Sequence, residues 1–193
     1  MAIIQQTHTP ILSSNAQVLI LPVNNAGTLL DPVLACCKTL YPDNYQRYYR
    51  ACRDGSLSVG SCLLHKRQRE TVGLSVSHNS NQPDYIANLV ISDHPYHPTR
   101  TRWLAHALLD LQQQLLPLIR YQGVRRAALL ARPLIFTNAT IHKNAKASDS
   151  NNSSSVIALD WQAVIVPLLI QHLQDLPKLR IDMHLPKDVT IHL

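Results

Sequence analysis

The sequence predicts an α/β fold, and three observations carry that prediction. Strand-like and helix-like patterns alternate along the chain. The run Val18-Leu19-Ile20-Leu21 is continuously apolar, as in a buried strand. The segment Trp103–Tyr121 repeats Leu104, Leu108, Leu111 and Leu115 at helical spacing, which places them on one face. With 193 residues and 46% hydrophobic content, the chain is expected to form one domain, 1–193, with a sizeable core.

Each element has a local reason. The strand Val18–Leu21 runs into Pro22-Val23-Asn24-Asn25-Ala26-Gly27, and a helix is expected from Asp31 to Tyr41, with Asp31 as N-cap before Pro32 at the first helical position. A second helix, Asn44–Arg53, is expected to take Asp43 as its N-cap and to stop at Asp54-Gly55. On it Tyr45, Tyr48, Tyr49 and Cys52 share a face, which core packing explains better than nucleotide stacking. Cys62–Lys66 and Thr71–Val76 read as short strands and Tyr85–Ser92 as a longer one, with a polar turn-forming loop over His78–Asp84. Pro117 is expected to kink the long helix or end it early, and Arg126–Leu130 follows as a buried strand. A polar stretch rich in Asn, Ser, Ala and Lys, at 137–155, is expected to be a flexible insert. It is either a lid that orders on a partner or a loop without a ligand role. Asp160 caps a helix to Gln174, and Leu179–His184 closes the sheet.

Composition narrows the function classes. No apolar run of about 18 residues marks a membrane span, and MAIIQQTHTP lacks the pattern of a signal peptide, so a cytoplasmic protein without membrane contact is expected. Cys36, Cys37, Cys52 and Cys62 lack CxxC spacing and are expected to be buried reduced thiols. A formal charge of +6 favours anionic partners, nucleic acid among them, and arginines gather at Arg100, Arg102, Arg120, Arg125, Arg126 and Arg132. One Phe and two Trp limit a stacking platform. The absence of GxSxG, Walker, GxGxxG and paired Cys/His patterns removes those hydrolase, nucleotide-binding and zinc classes, and no cofactor is expected. His94 and His97 stand three apart with only Asp93 beside them, and Pro95 and Pro98 preclude a helix, so no metal site is expected either.

Ligands in α/β sheets bind beyond the carboxyl ends of strands. Asn24, Asn25 and Gly27 hold such a place, where an amide and a permissive backbone can grip a nucleotide or sugar. The competing role for Asn24 is to cap the turn before Gly27. Asp31 could likewise be a general base in a pocket or simply the helix cap.

The order ILSSNAQVLILPVNNAG followed by LYPDNYQRYYRACRDGSLSVG resembles the start of a macrodomain, the fold that binds ADP-ribose, without a gap over Ile11–Gly60. Leu159-Asp160-Trp161, with Val164 and Pro167-Leu168-Leu169, is similar to the family's LDW helix. Within the family, the likeness is to the branch of DarG-type antitoxins, which remove ADP-ribose from DNA. The resemblance implies a three-layer α/β/α sandwich with a mixed central sheet. It implies that Asn24 faces the distal ribose, and that Asn24, Asn25, Gly27 and Asp31 form the ligand-binding set. The chain departs from the family where Pro10 replaces an acidic residue that holds adenine, and where Leu30-Asp31-Pro32 replaces a GKG phosphate loop. It has no glycine after Gly123 for a second phosphate loop, and no lysine between Lys66 and Lys143 for the branch's catalytic one. His94 or Asp93 is the candidate replacement, so Asn24 and His94 are the expected catalytic residues. A carboxylate about 4 Å from a phosphate charge would cost roughly 4 kcal/mol at an effective dielectric near 20, half of the roughly 8 kcal/mol that holds a micromolar ligand. The expected function is therefore recognition of an ADP-ribose-type or modified-nucleotide ligand, on DNA or protein, with weak or absent hydrolysis. The alternative is a pseudoenzyme scaffold that binds nucleic acid or a protein partner, such as a toxin, without a nucleotide ligand.

Overall fold

A computed structural model describes residues 1–67, 82–135, 159–187 and 189. The expected strand Thr71–Val76, part of the His78–Asp84 loop and the 137–155 insert lie outside them.

The described strands are β1 (Ile3–Thr7), β2 (Val18–Asn24), β3 (Cys62–Lys66), β4 (Tyr85–Ser92), β5 (Arg126–Leu130) and β6 (Arg180–His184). The helices are α1 (Pro32–Leu40), α2 (Pro42–Arg53), α3 (Thr101–Tyr121), α4 (Arg132–Ile135) and α5 (Val166–Leu173). The strands form one sheet in the order β1-β6-β5-β2-β4-β3. Every neighbouring pair is parallel except β3 with β4, which makes the sheet mixed.

Side-chain alternation along the strands builds the two outer layers. Val18, Ile20, Ala87, Leu89, Ala127, Leu129, Ile181 and Met183 point to one face, where Leu104, Leu108, Leu111 and Leu115 of α3 and Leu169 and Leu173 of α5 cover them. Leu19, Leu21, Val23, Ile86, Val90, Ala128 and Leu130 point to the other, against Leu34 and Cys37 of α1 and Tyr48 of α2. All seven residues of β2 are buried, as a strand covered on both sides requires. The result is the three-layer α/β/α sandwich that the sequence predicts.

Four local expectations are corrected. Asp43 does not cap α2, which opens one residue earlier at Pro42. Its carboxylate instead meets His65 Nε2 of β3 at 2.9 Å. Pro117 does not end α3, because Leu115 and Ile119 on either side of it are buried in the core. Each such burial is worth about 1.5–3 kcal/mol, which together match the roughly 3 kcal/mol that an internal proline costs. Cys36 is exposed rather than buried, whereas burial pushes the Cys37 and Cys62 thiols up to about 12. Strand β1 has no signal in the sequence pattern: it sits at the sheet edge beside β6, with Ile3 exposed and the rest half-buried.

His184 ends β6 in a buried position. Its Nδ1 lies 2.8 Å from the Thr9 carbonyl oxygen, and its Nε2 is buried without a partner. Burial holds its pKa below the usual value, against the pull of the Thr9 carbonyl and Asp182. The unfolded chain therefore binds this proton more readily than the folded one, so stability rises with pH across the window just below the ordinary histidine value. Denaturant unfolding of the wild type is expected to give a higher free energy at about pH 7.5 than at about pH 5.5, and His184→Asn to reduce that difference. An unchanged difference in the variant would remove His184 as its source.

Candidate functional site

The site follows from how β2 ends. Tyr85 N–H donates to the Gln17 carbonyl and Asn25 N–H to the Ser92 carbonyl, so the odd-numbered residues here reach toward β4. The even-numbered ones, Pro22 among them, then face β5. Proline has no N–H to extend that ladder, and the β2–β5 pairing stops at Ile20 with Leu129. The pairing with β4 continues to Asn24 through an irregularity after Val23. Beyond the last β5 contact the strands part, and a cavity of about 340 Å³ opens there. Asn24, Thr28, Leu30 and Asp31 line it from the β2–α1 loop, Ser92, Tyr96 and His97 from the β4–α3 loop, and Arg132 and Pro133 from the end of β5.

Asn24 holds the turn. Its Nδ2 donates to the Thr28 carbonyl at 2.6 Å, and its Oδ1 accepts from Ala26 N–H at 3.0 Å. A side-chain amide has two N–H groups and two oxygen lone pairs, so one of each remains beyond the turn. The Asn24 carbonyl accepts from the Tyr48 hydroxyl of α2. Burial, first, and neighbouring Cys52 and Tyr45 keep that phenol protonated far above neutral pH.

Asp31 does two things at once. Oδ1 accepts from Val33 N–H at 2.8 Å and Leu34 N–H at 3.3 Å, which caps α1. Oδ2 lies 3.0 Å from Arg132 Nε, which ties the α1 end to the β5 end across the cavity. The side chain of Asp31 is 12% exposed and that of Arg132 41%.

On the opposite wall, His97 Nδ1 lies 2.9 Å from Asp93 Oδ1. Partial burial pushes the Asp93 carboxyl up. The His97 bond, its own backbone N–H and the His97 and Arg100 charges outweigh that, and hold it below the usual carboxylate range. The His94 ring lies tilted against those of Tyr96 and His97, with centroids 5.5 and 5.0 Å apart, and its Nδ1 accepts from Tyr96 N–H.

The sequence-predicted residues thus separate. Asn24 and Asp31 line the cavity, whereas His94, Asn25 and Gly27 do not. Asn25 is half-buried and uses its N–H on Ser92. Gly27 has φ 75, and a Cβ built there would lie 2.9 Å from Tyr49 Cδ2, so both backbone and space call for glycine. The Asp93–Pro98 turn brings His97, rather than the expected His94, to the cavity rim. Arg132 was readable in principle, since it lies two residues beyond the carboxyl end of β5. Among the described residues, no group of three or more His, Cys, Asp or Glu side chains could hold a metal, and no helix is long and apolar enough to cross a membrane.

This layered mixed sheet with a cavity beyond β2 and β4 is the macrodomain fold. No family model matches the chain. Its fold superposes on the macrodomain of Mycobacterium tuberculosis DarG with a TM-score of 0.69 at 18% identity, covering 97% of this chain and 100% of that one. It superposes on Thermosipho africanus DarTG in complex with ADP-ribose at 0.67 and 18% identity, covering 98% of this chain and 43% of that one. In sequence it is 28% identical over 124 residues to the DNA ADP-ribosyl glycohydrolase of Thermus aquaticus, across 64% of this chain and 30% of that protein. The chain thus has a macrodomain fold and is similar to DarG proteins, and its match spans under a third of that curated relative's length.

The two roles of Asp31 separate by substitution. A helix cap is worth about 0.5–2 kcal/mol, and a half-exposed ion pair about 0–1. Asp31→Ala is expected to lose about 1–2 kcal/mol in denaturant unfolding, and Asp31→Asn, which keeps a capping oxygen, about 0.5 kcal/mol. Equal losses in both variants would assign the carboxylate's stabilising role to Arg132 instead.

Proposed function

We propose that this chain recognises an ADP-ribose-type or modified-nucleotide ligand in the cavity beyond β2 and β4, with weak or absent hydrolysis. The observation that carries the reading is the cavity itself. It lies where α/β sheets take ligands, its 340 Å³ is at the small end of the roughly 300–1,000 Å³ usual for ligand pockets, and it sits in a macrodomain fold. The likeness to an ADP-ribose complex supports the class of ligand, and the likeness to a DNA ADP-ribosyl glycohydrolase supports a ligand carried on DNA.

The roles follow from the geometry. Asn24 orients a sugar hydroxyl with the N–H and lone pair left over from its turn. Arg132 is the counter-charge for a phosphate, which a guanidinium binds in a forked geometry. A phosphate must compete with Asp31 for it, and the carboxylate repels that phosphate as well. Both effects weaken binding of the diphosphate. For proton transfer no lysine among the described residues lines the cavity. His97 does, and with Asp93 on Nδ1 its Nε2 is the nitrogen left to face a ligand. Such a side chain, half in solvent, supports slow turnover at most.

A specific observation favours the scaffold reading as well: the arginine that lines the cavity is already paired with a carboxylate at the phosphate-loop position. Titration calorimetry decides between them, with ADP-ribose as ligand and AMP and NAD as controls. The wild type is expected to bind ADP-ribose weakly, between about 10 μM and 1 mM, and Asp31→Asn to bind at least about tenfold more tightly because Arg132 is released and the repulsion removed. Asn24→Ala is expected to abolish the heat while keeping a cooperative melt. No heat from either the wild type or Asp31→Asn at millimolar ADP-ribose would sink the ligand reading and leave the scaffold.

A further inference from the structure

The turn that gives the cavity Asn24 and Thr28 leans on α2 through Gly27, whose carbonyl accepts from the Tyr45 hydroxyl at 3.4 Å. There α2 presents an aromatic and basic face. Tyr49 is 48% exposed and stacks on Tyr45, with ring centroids 5.9 Å apart and planes at 28°. Lys38 of α1 places its Nζ 4.4 Å from the Tyr45 ring centre. A groove of about 270 Å³ lies among Tyr45, Gln46, Tyr49, Arg50 and Arg53, and Arg47 is exposed on the same helix. Asp54 answers Arg53 at 3.3 Å, but Lys38, Arg47 and Arg50 have no ion pair among the described residues.

We infer that this α2 face binds single-stranded nucleic acid, with a base stacking on Tyr49 and the phosphates held by Lys38, Arg50 and Arg53. Charge complementarity selects the occupant. On this face Lys38 and Arg50, without a carboxylate partner among the described residues, and Arg53, shared with Asp54, attract a polyanion. Accessible aromatic rings set among those cations suit unpaired bases, because every base has a π-face to stack and a duplex keeps its faces inside. A protein partner of ordinary mixed charge would leave these cations unanswered. The inference stands apart from the cavity reading, since none of these side chains lines the cavity.

The test is fluorescence anisotropy of a labelled oligothymidine with the full chain, from about 50 to 200 mM salt, with a single-stranded RNA and a duplex as further arms. Binding of the single strands above the duplex is expected. Arg50→Gln with Arg53→Gln should flatten the slope of log affinity against log salt by about 1.4, from about 0.7 for each phosphate contact in a single strand. Tyr49→Leu should weaken binding about tenfold while Tyr49→Phe retains it, because stacking needs the ring and not the hydroxyl. An unchanged salt slope in the arginine variant, a duplex bound as well as the single strand, or no retention of any strand would each overturn the inference. An ADP-ribose titration of the arginine double variant separates the two readings. In that variant, nucleotide heat retained with strand binding weakened is expected; in the wild type, nucleotide heat without strand binding removes only the α2 surface, and strand binding without nucleotide heat removes only the cavity ligand.

Discussion

The sheet's central strand is the constraint on which the rest depends. β2 is flanked by β4 and β5, and its seven residues are all buried, so neither face can move without disturbing a helical layer. Its single irregular choice is Pro22. Because the missing N–H lies on the β5 side, pairing ends there and continues toward β4. That asymmetry opens a crevice on one side of the strand while the other side stays anchored as far as Ser92. The loop after β2 begins from a fixed point, and the Asn24 amide and the Tyr48 hydroxyl hold its first residues. A buried amide pair supports the same region, with Asn88 Nδ2 of β4 donating to Asn44 Oδ1 of α2 at 2.8 Å. It locks α2 to the sheet where an apolar pair could slide.

Electrostatics then decide what the crevice can do. At the cavity edge this chain places the Asp31 carboxylate, which caps α1. Arg132 answers it from across the cavity. The pair leaves the region near neutral, so a ligand meets a site already satisfied rather than one waiting for a phosphate. An ion pair with one partner this exposed contributes little to stability. Its larger consequence is selectivity: a ligand must bring interactions better than those it displaces.

Most of the architecture was legible because the core strands and α3 express their burial as pattern. Val18–Leu21, Tyr85–Ser92, Arg126–Leu130 and the leucine face of α3 all lie where periodicity puts them. The misreadings have one physical source, tertiary contact that overrides a local rule. Asp43 looks like a cap, yet His65 on a strand distant in sequence gives it another partner. Pro117 looks like a helix end, yet the core on both sides of it holds the helix together. Tyr45, Tyr48 and Tyr49 look like one buried face, but only Tyr48 is fully buried, because the turn at Gly27 reaches just far enough to cover part of the others. For the site, the resemblance located the loop but not the inward histidine. Which of His94 and His97 faces the cavity depends on how the Asp93–Pro98 turn folds, and two histidines three residues apart carry no signal for that.

Gly27 joins the two surfaces. On one side its turn supplies Asn24 and Thr28 to the cavity; on the other its bare Cα admits the Tyr49 ring, and its carbonyl accepts from Tyr45. A methyl group at this position would meet the ring at 2.9 Å and sit on a backbone with φ 75, so either α2 would shift or the turn would open. Tyr45 and Tyr49 border the turn from the α2 side, and the Asn24 amide holds it from the cavity side. One short turn thus fixes the positions of both the cavity rim and the α2 face.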